Sequence, residues 1–166
     1  MEWPHNPKIY EINTHVWLTT LSETYDRTIT LASVPDAVMD ELAGYHVDAI
    51  WLMGVWFRGD STRRSALNYV HQYRGALPDI TEADVIGSAY AIGAYQVDEA
   101  IGGREGLSQF RDRLHERGLR LILDFVPNHT GMDHPWLTER PDYYVQASRA
   151  MLQQTHNEFF VTEDTA

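Results

Sequence analysis

The stretch that most limits the fold is residues 119–130, Leu-Arg-Leu-Ile-Leu-Asp-Phe-Val-Pro-Asn-His-Thr. From Leu119 to Val126 it is apolar except for Arg120 and Asp124. Near-continuous apolar runs mark strands buried on both faces, as in a parallel sheet. Pro127 has no N–H to offer a ladder, so the strand should stop there. Asp124 is a lone carboxylate near the end of the run, and burial makes such a group costly unless it is paired or hydrogen-bonded. Asn128 and His129 then project from the strand's carboxyl end, where parallel α/β folds bind their ligands.

The rest of the chain supplies partners for this strand. Val47 to Trp56 is a second near-continuous apolar run and reads as a second buried strand. Residues 8–18 read as a first strand from their Ile, Tyr, Thr, Val and Trp, with Glu11, Asn13 and His15 lining something polar. Residues 19–32 read as loop. Ser33, Pro35 and Asp36 open a helix with capping-box-like spacing. Val38, Leu42 and Tyr45 share one face of it, and Gly44 ends it. A second helix spans Gly103 to Arg117, with Leu107, Phe110 and Leu114 as its apolar stripe and Gly118 as its stop. Alternating strands and helices with short connections predict βαβ units in a parallel sheet.

Residues 57–102 interrupt that rhythm, and so long an excursion is expected to be functional. Leu67, Val70 and Arg74 suggest one short helix within it. Beyond Thr130 the chain is loop-rich, with a weak helical signal near 142–153 and a short strand at 159–161. A closed (β/α)₈ barrel needs about 250 residues. Three strands and two outer helices therefore describe a small open sheet or the first part of something larger.

Charge narrows the partners. Thirteen Lys plus Arg against 24 Asp plus Glu give a net charge of −11, which argues against nucleic acid, since phosphate recognition needs basic patches. The absence of Cys removes disulfides and thiolate metal sites. No apolar stretch has the length of a membrane span, and the first residues lack the basic and apolar regions of a secretory signal. No membrane partner and a cytoplasmic location are the expectation. Nine Tyr and five Trp read first as core packing, although flat aromatic faces also suit sugar rings. Phosphate-loop, dinucleotide and nucleophile-elbow spacings are absent. Gly102-Gly103 reads as a turn into a helix, and Arg58-Gly59-Asp60 as a chance tripeptide.

Asp124, Asn128, His129, Asp133 and His134 form the densest polar cluster. Their oxygens and nitrogens suit a cation, but the spacing matches no metalloprotease motif. They equally suit a sugar, with His129 donating to a hydroxyl and Asp124 orienting a neighbouring cation. They also suit a capped strand end. Tyr90 and Tyr95, taken alone, read as loop packing. Glycoside hydrolysis generally needs two carboxyl groups. Asp124 is the one convincing carboxylate at a strand end, and Asp133 or Glu99 does not make a credible pair with it.

Four stretches, in order, resemble the α-amylase family of glycoside hydrolases, family 13. Ile-Tyr-Glu-Ile-Asn is similar to its first barrel strand, and Val-Asp-Ala-Ile-Trp-Leu-Met-Gly-Val-Trp to its second. Gly-Ser-Ala-Tyr-Ala-Ile-Gly-Ala-Tyr, followed by Ile-Gly-Gly, resembles the loop before the second helix. Gly-Leu-Arg-Leu-Ile-Leu-Asp-Phe-Val-Pro-Asn-His-Thr resembles the first signature region, with His134-Pro135-Trp136 after it. The resemblance covers most of residues 8–145.

It implies the amino-terminal part of a (β/α)₈ TIM barrel, about three βα units over residues 1–130. Residues 131–166 would begin the small domain inserted after the third strand. It implies a retaining enzyme acting on α-linked glucosides or oligosaccharides. By match of motif, His129 resembles the histidine that hydrogen-bonds the sugar in the −1 subsite, and Tyr90 the tyrosine that stacks on it. Asp124 resembles the buried aspartate that holds an active-site arginine. Asn128 matches a position that ligates structural calcium in some members and not in others; no other cofactor is implied. Gly87 stands where several α-glucosidase-like members have aspartate, which argues against an exo-acting glucosidase.

The family's nucleophile, acid and second essential aspartate follow its fourth, fifth and seventh strands, so no catalytic residue is assigned here. The isolated chain is expected to be inactive and to self-associate through exposed strand edges. The alternatives are a transglycosylating or isomerising relative of the trehalose synthase kind, and a non-catalytic carbohydrate-binding homologue of the barrel.

Overall fold

A computed structural model describes residues 3–148 and residue 151. Its centre is a three-stranded parallel sheet made of β1 (Ile9–Asn13), β2 (Ala49–Met53) and a strand at Arg120–Leu123, with β2 in the middle. Ile12, Leu52 and Leu123 lie in one row across it, and Tyr10, Ile50 and Leu121 in the next. The sheet is packed on one face by helices that alternate with the strands.

The first strand is shorter than its sequence suggests. At Thr14 the chain turns directly into α1 (Thr14–Thr24), which buries Leu18 and Leu21. The Thr14 hydroxyl, fully buried, donates to the Met53 carbonyl at 2.8 Å and docks the start of α1 on the end of β2. The β-favouring Thr, Val and Trp misdirect the reading here. Tertiary packing at helical spacing overrides their weak propensity. Residues 14–24, expected as strand and loop, are therefore helix.

Next comes α2 (Asp36–Gly44). Its buried residues are Met39 and Leu42, while Tyr45 is exposed and donates to Glu41 at 2.7 Å. The reciprocal cap lies one step earlier than expected, between Thr30 and Ser33, on a short 3₁₀ turn at Leu31–Ser33.

The excursion is structured. β3 (Trp56–Arg58) leads into α3 (Asp60–Leu67) and α4 (Val70–Tyr73), and β4 (Ile92–Val97) returns antiparallel to β3. The expected single short helix is thus two, and its surroundings include a two-stranded ribbon.

α5 (Gly103–Glu116) places Phe110 and Leu114 in the core with no exposed surface, the stripe that the sequence predicts. The strand β5 (Arg120–Leu123) ends before Asp124. The cause is across the sheet: β2 stops at Met53, and Gly54, at φ +76°, gives its N–H to the Asp124 carboxylate instead of to a ladder. Beyond it lie α6 (Trp136–Glu139) and a 3₁₀ turn at Pro141–Tyr143; of the helical signal expected near 142–153, residues 144–148 are not helical, residue 151 is, and residues 149–150 and 152–153 lie outside the described residues. The strand expected at 159–161 lies outside the described residues. No helix among the described residues is long and apolar enough to cross a membrane.

The two faces of the sheet differ. Ile12, Ile50, Leu52, Leu121 and Leu123 belong to the core under the helices. Strand alternation sends Glu11, Trp51 and Ile122, which form one row, to the opposite face. Glu11 and Asn13 are exposed there. Toward the other end of that face Trp3 lies over the Arg120 guanidinium at 4.9 Å.

Candidate active site

The site is built where the three parallel strands end. Asp124 is 7% exposed. Its Oδ1 accepts from Trp51 Nε1 at 2.8 Å and its Oδ2 from the Gly54 N–H. Its carbonyl accepts from Trp56 Nε1 at 2.9 Å. An ionised carboxylate has about four lone-pair sites, so two of them remain for a further donor. Charge-assisted bonds to buried N–H groups are the strong kind, and they explain how this carboxylate tolerates burial.

Tyr90 belongs to the same environment. Partial burial, then the negative charges of Asp124 and Glu11, raise its phenol above the usual value. Tyr90 is 39% exposed, leaving aromatic surface uncovered. Asn128 and His129 lie exposed on the segment leaving β5, with Asn128 Nδ2 3.3 Å from His129 Nδ1. Tyr95 holds that segment in place. Its hydroxyl donates to the Val126 carbonyl at 2.8 Å and accepts from the Val126 N–H at 3.1 Å, while its ring meets Trp56 edge-on.

The dense cluster read from the sequence separates into distinct groups. Asp133 faces Ser61 at the start of α3, accepting from its N–H and its hydroxyl, each at 2.8 Å. Burial raises this carboxyl, but the two Ser61 bonds, its own backbone N–H and the Arg64 charge together hold it below the usual range. His134 is buried against Trp136, and its Nδ1 accepts from the Trp136 N–H at 3.1 Å. Among the described residues no three His, Asp or Glu side chains converge on one point as metal ligands.

Sequence reasoning passed over Trp51 and Gly54, read Arg58 only as part of a chance tripeptide, and placed His15 on a strand. The first two carry a recognisable pattern in retrospect: an indole on the open face of β2, then a glycine three residues on. Arg58 and His15 reach the site only through the ribbon and α1, elements that the sequence reading did not place.

The family model described as alpha amylase, catalytic domain, matches residues 38–166. The chain belongs to the alpha-amylase family. A trehalose synthase of Pimelobacter sp. (strain R48) is 32% identical over 127 residues, which cover 76% of this chain and 17% of that protein. A probable oligo-1,6-glucosidase 2 of Bacillus subtilis is 42% identical over 41 residues, 25% of this chain and 7% of that one. Among solved structures, an alpha-amylase from Lactobacillus plantarum superposes with a TM-score of 0.59 at 23% identity, over 86% of this chain and 27% of the other. A maltogenic alpha-amylase, AmyB, from Thermotoga neapolitana gives 0.55 at 19% identity, over 86% and 28%. These likenesses show the fold: that of a part of the TIM barrel of alpha-amylases. The chain spans less than a third of the length of each of these relatives.

In this alpha-amylase-family chain two histidines, half-buried His15 and buried His134, are expected to tie stability to pH. His15 Nε2 and His134 Nε2 have no hydrogen-bond partner among the described residues. Burial, then the Arg58 charge, lowers the His15 pKa against the opposing pull of Asp98, whose carboxylate is 3.8 Å away. Burial likewise lowers that of His134, opposed by Asp133 and Glu139. Each folded value lies below the unfolded one, so the fold holds the neutral ring. That contribution is complete above the unfolded pKa of about 6.5 and is lost as pH falls through it toward the folded value. The urea midpoint should therefore drop between about pH 7.5 and pH 5.5, above the carboxylate range. His15→Gln should flatten that drop. An unchanged slope in the variant would show that His15 contributes none of it.

Proposed function

We propose that this chain is the amino-terminal part of an enzyme that hydrolyses or transfers α-glucosidic bonds with retention of configuration, and that the 166 residues alone are inactive. The observation that carries the reading is the packing of Ala89, the residue before Tyr90, against Gly54, whose N–H binds the Asp124 carboxylate at the strand ends, beside a sheet face that helices leave uncovered. An aromatic surface next to buried, oriented polar groups suits a sugar ring. In this reading Tyr90 stacks on the sugar, and exposed His129 donates to one of its hydroxyls. Asp124 uses its remaining lone pairs to hold an arginine contributed from further along the barrel.

Retention requires two carboxyl groups roughly 5 Å apart. Asp124 is already committed to Trp51 and Gly54, so neither role falls to it. Residues 1–130 are the barrel portion in this reading, and residues 131–166 begin the inserted domain. No cofactor is needed, and Asn128 would touch calcium only if ligands came from outside the described residues. The setting is cytoplasmic.

The match to a trehalose synthase over 76% of this chain favours a second reading, in which the enzyme isomerises or transfers glucosyl units. One assay separates these readings. The complete barrel protein, given maltose and maltotetraose, should release glucose if it is a hydrolase or yield a new disaccharide if it is an isomerase. His129→Ala should lower kcat/KM by about 10²-fold, the scale of a lost positioning contact. Turnover by the 166-residue chain alone would overturn the proposal.

A further inference from the structure

Arg58 ends β3 and is half-buried. It makes no direct ion pair among the described residues. Instead Nη1 donates to the Gly87 carbonyl at 3.1 Å and Nη2 to the Gly54 carbonyl at 3.4 Å. Both acceptors matter. Gly54 is the residue whose N–H binds the Asp124 carboxylate. Gly87, at φ +85°, opens the turn that leads through Ser88 and Ala89 into Tyr90. The turn presses directly on Gly54: a Cβ there would stand 2.9 Å from Ala89 Cβ and 2.7 Å from Arg58 Nη2.

The turn makes other bonds besides, including one from the Ala91 N–H to the Ser88 carbonyl at 3.3 Å. The Ser88 N–H donates to Thr62 Oγ1 at 3.1 Å, and the Tyr90 N–H to Ser88 Oγ at 3.2 Å. Arg58 also pairs with Ile92 across the ribbon, just beyond Tyr90. A charged fork in this partly desolvated place is costly, and the negative charges of Asp98 and Asp124 offset only part of that cost.

We propose that Arg58 is a positioning residue, which clamps the Gly87–Ala89 turn onto Gly54 and so fixes Tyr90 relative to Asp124. The proposal rests on the reading of Tyr90 as a sugar-stacking side chain. The planar guanidinium spans two carbonyls at once, which a lysine ammonium on its flexible stem does not reproduce. Arg58 touches no sugar in this scheme. It acts through the ring that does.

The test uses the complete barrel protein with Arg58→Ala, Arg58→Lys and Tyr90→Ala. Amide exchange in residues 86–91 should accelerate in Arg58→Ala and in Arg58→Lys, while the amides of β1, β2 and β5 keep their protection. Millimolar free guanidinium should restore protection in Arg58→Ala. With maltotetraose, kcat/KM should fall by about 10²-fold in Arg58→Ala. Arg58→Ala combined with Tyr90→Ala should be no worse than Tyr90→Ala alone, as for residues that act through one contact. Unchanged exchange in 86–91, loss of protection across the whole sheet, or additive kinetic losses would each overturn the proposal. If the exchange pattern holds and the unaltered protein turns over no α-glucoside, the clamp stands and the proposed function fails.

Discussion

Asp124→Asn should lower the unfolding free energy by about 2–4 kcal/mol, the scale set by losing charge-assisted hydrogen bonds at buried donors. The side chains are nearly isosteric, so the effect is not one of volume. Asp124 accepts from Trp51 Nε1 through one oxygen and from the Gly54 N–H through the other. An asparagine offers one acceptor oxygen and one NH₂, so whichever way it turns, one buried donor faces another donor.

At about 2–4 °C per kcal/mol for a chain of this size, the thermal midpoint should drop by roughly 4–16 °C. Asp124→Ala removes the clash but leaves both donors without partners, so it should be destabilising to a similar degree. Calorimetry of both variants checks this. A loss below about 1 kcal/mol, the worth of one ordinary net hydrogen bond, would show that water replaces the carboxylate and that the strand end is more open than its 7% exposure indicates. Because Gly54 is also the seat of the Ala89 turn, the same substitution should disturb the Tyr90 loop.

How much of this was legible in the sequence follows from range. The β2 and β5 runs, the α5 stripe and the cost of burying Asp124 are local facts, written in apolar periodicity and in one misplaced charge. They place the sheet and the helix against it. The alternation of Glu11 and Asn13 along β1 matches their exposure on the face away from the helices. What failed depends on contacts distant along the chain. The turn into α1 is set by Thr14 reaching Met53, 39 residues away. The ribbon of β3 and β4 joins residues separated by more than thirty positions, with irregular register, and no periodicity announces it.

The polar cluster after β5 shows the reverse error. Adjacency in sequence suggested one site, yet Asp133 turns to Ser61 and His134 to Trp136. The partners that Asp124 found instead, Trp51 and Gly54, come from the neighbouring strand and the residue just after it. Parallel sheets bring such residues together without any trace of it in local spacing.

The 166-residue chain should associate when purified alone, because its central sheet has two open edges among the described residues. There the strand order β1–β2–β5 leaves one side of β1 and one side of β5 without a partner strand within the sheet. Unpaired strand edges template further pairing unless they are short, charged, bulged or covered. The β1 edge is weakly protected: Ile9 is 48% and Tyr10 42% exposed. Glu11 is the only charge in β1 itself. Beyond β5, Phe125 is 77% exposed, a large apolar ring beside an open edge. A closed barrel removes both edges at once, which is how the proposed complete enzyme would avoid the problem. Sedimentation velocity over a range of concentrations should show a mass that rises above the 19.1 kDa monomer. Ile9→Lys, which places a charge on the edge without touching the Ile12, Leu52 and Leu123 row, should shift the distribution back toward monomer. A chain that stays monomeric at every concentration would mean that the edges are already satisfied, and with that the case for a missing remainder of the barrel would weaken.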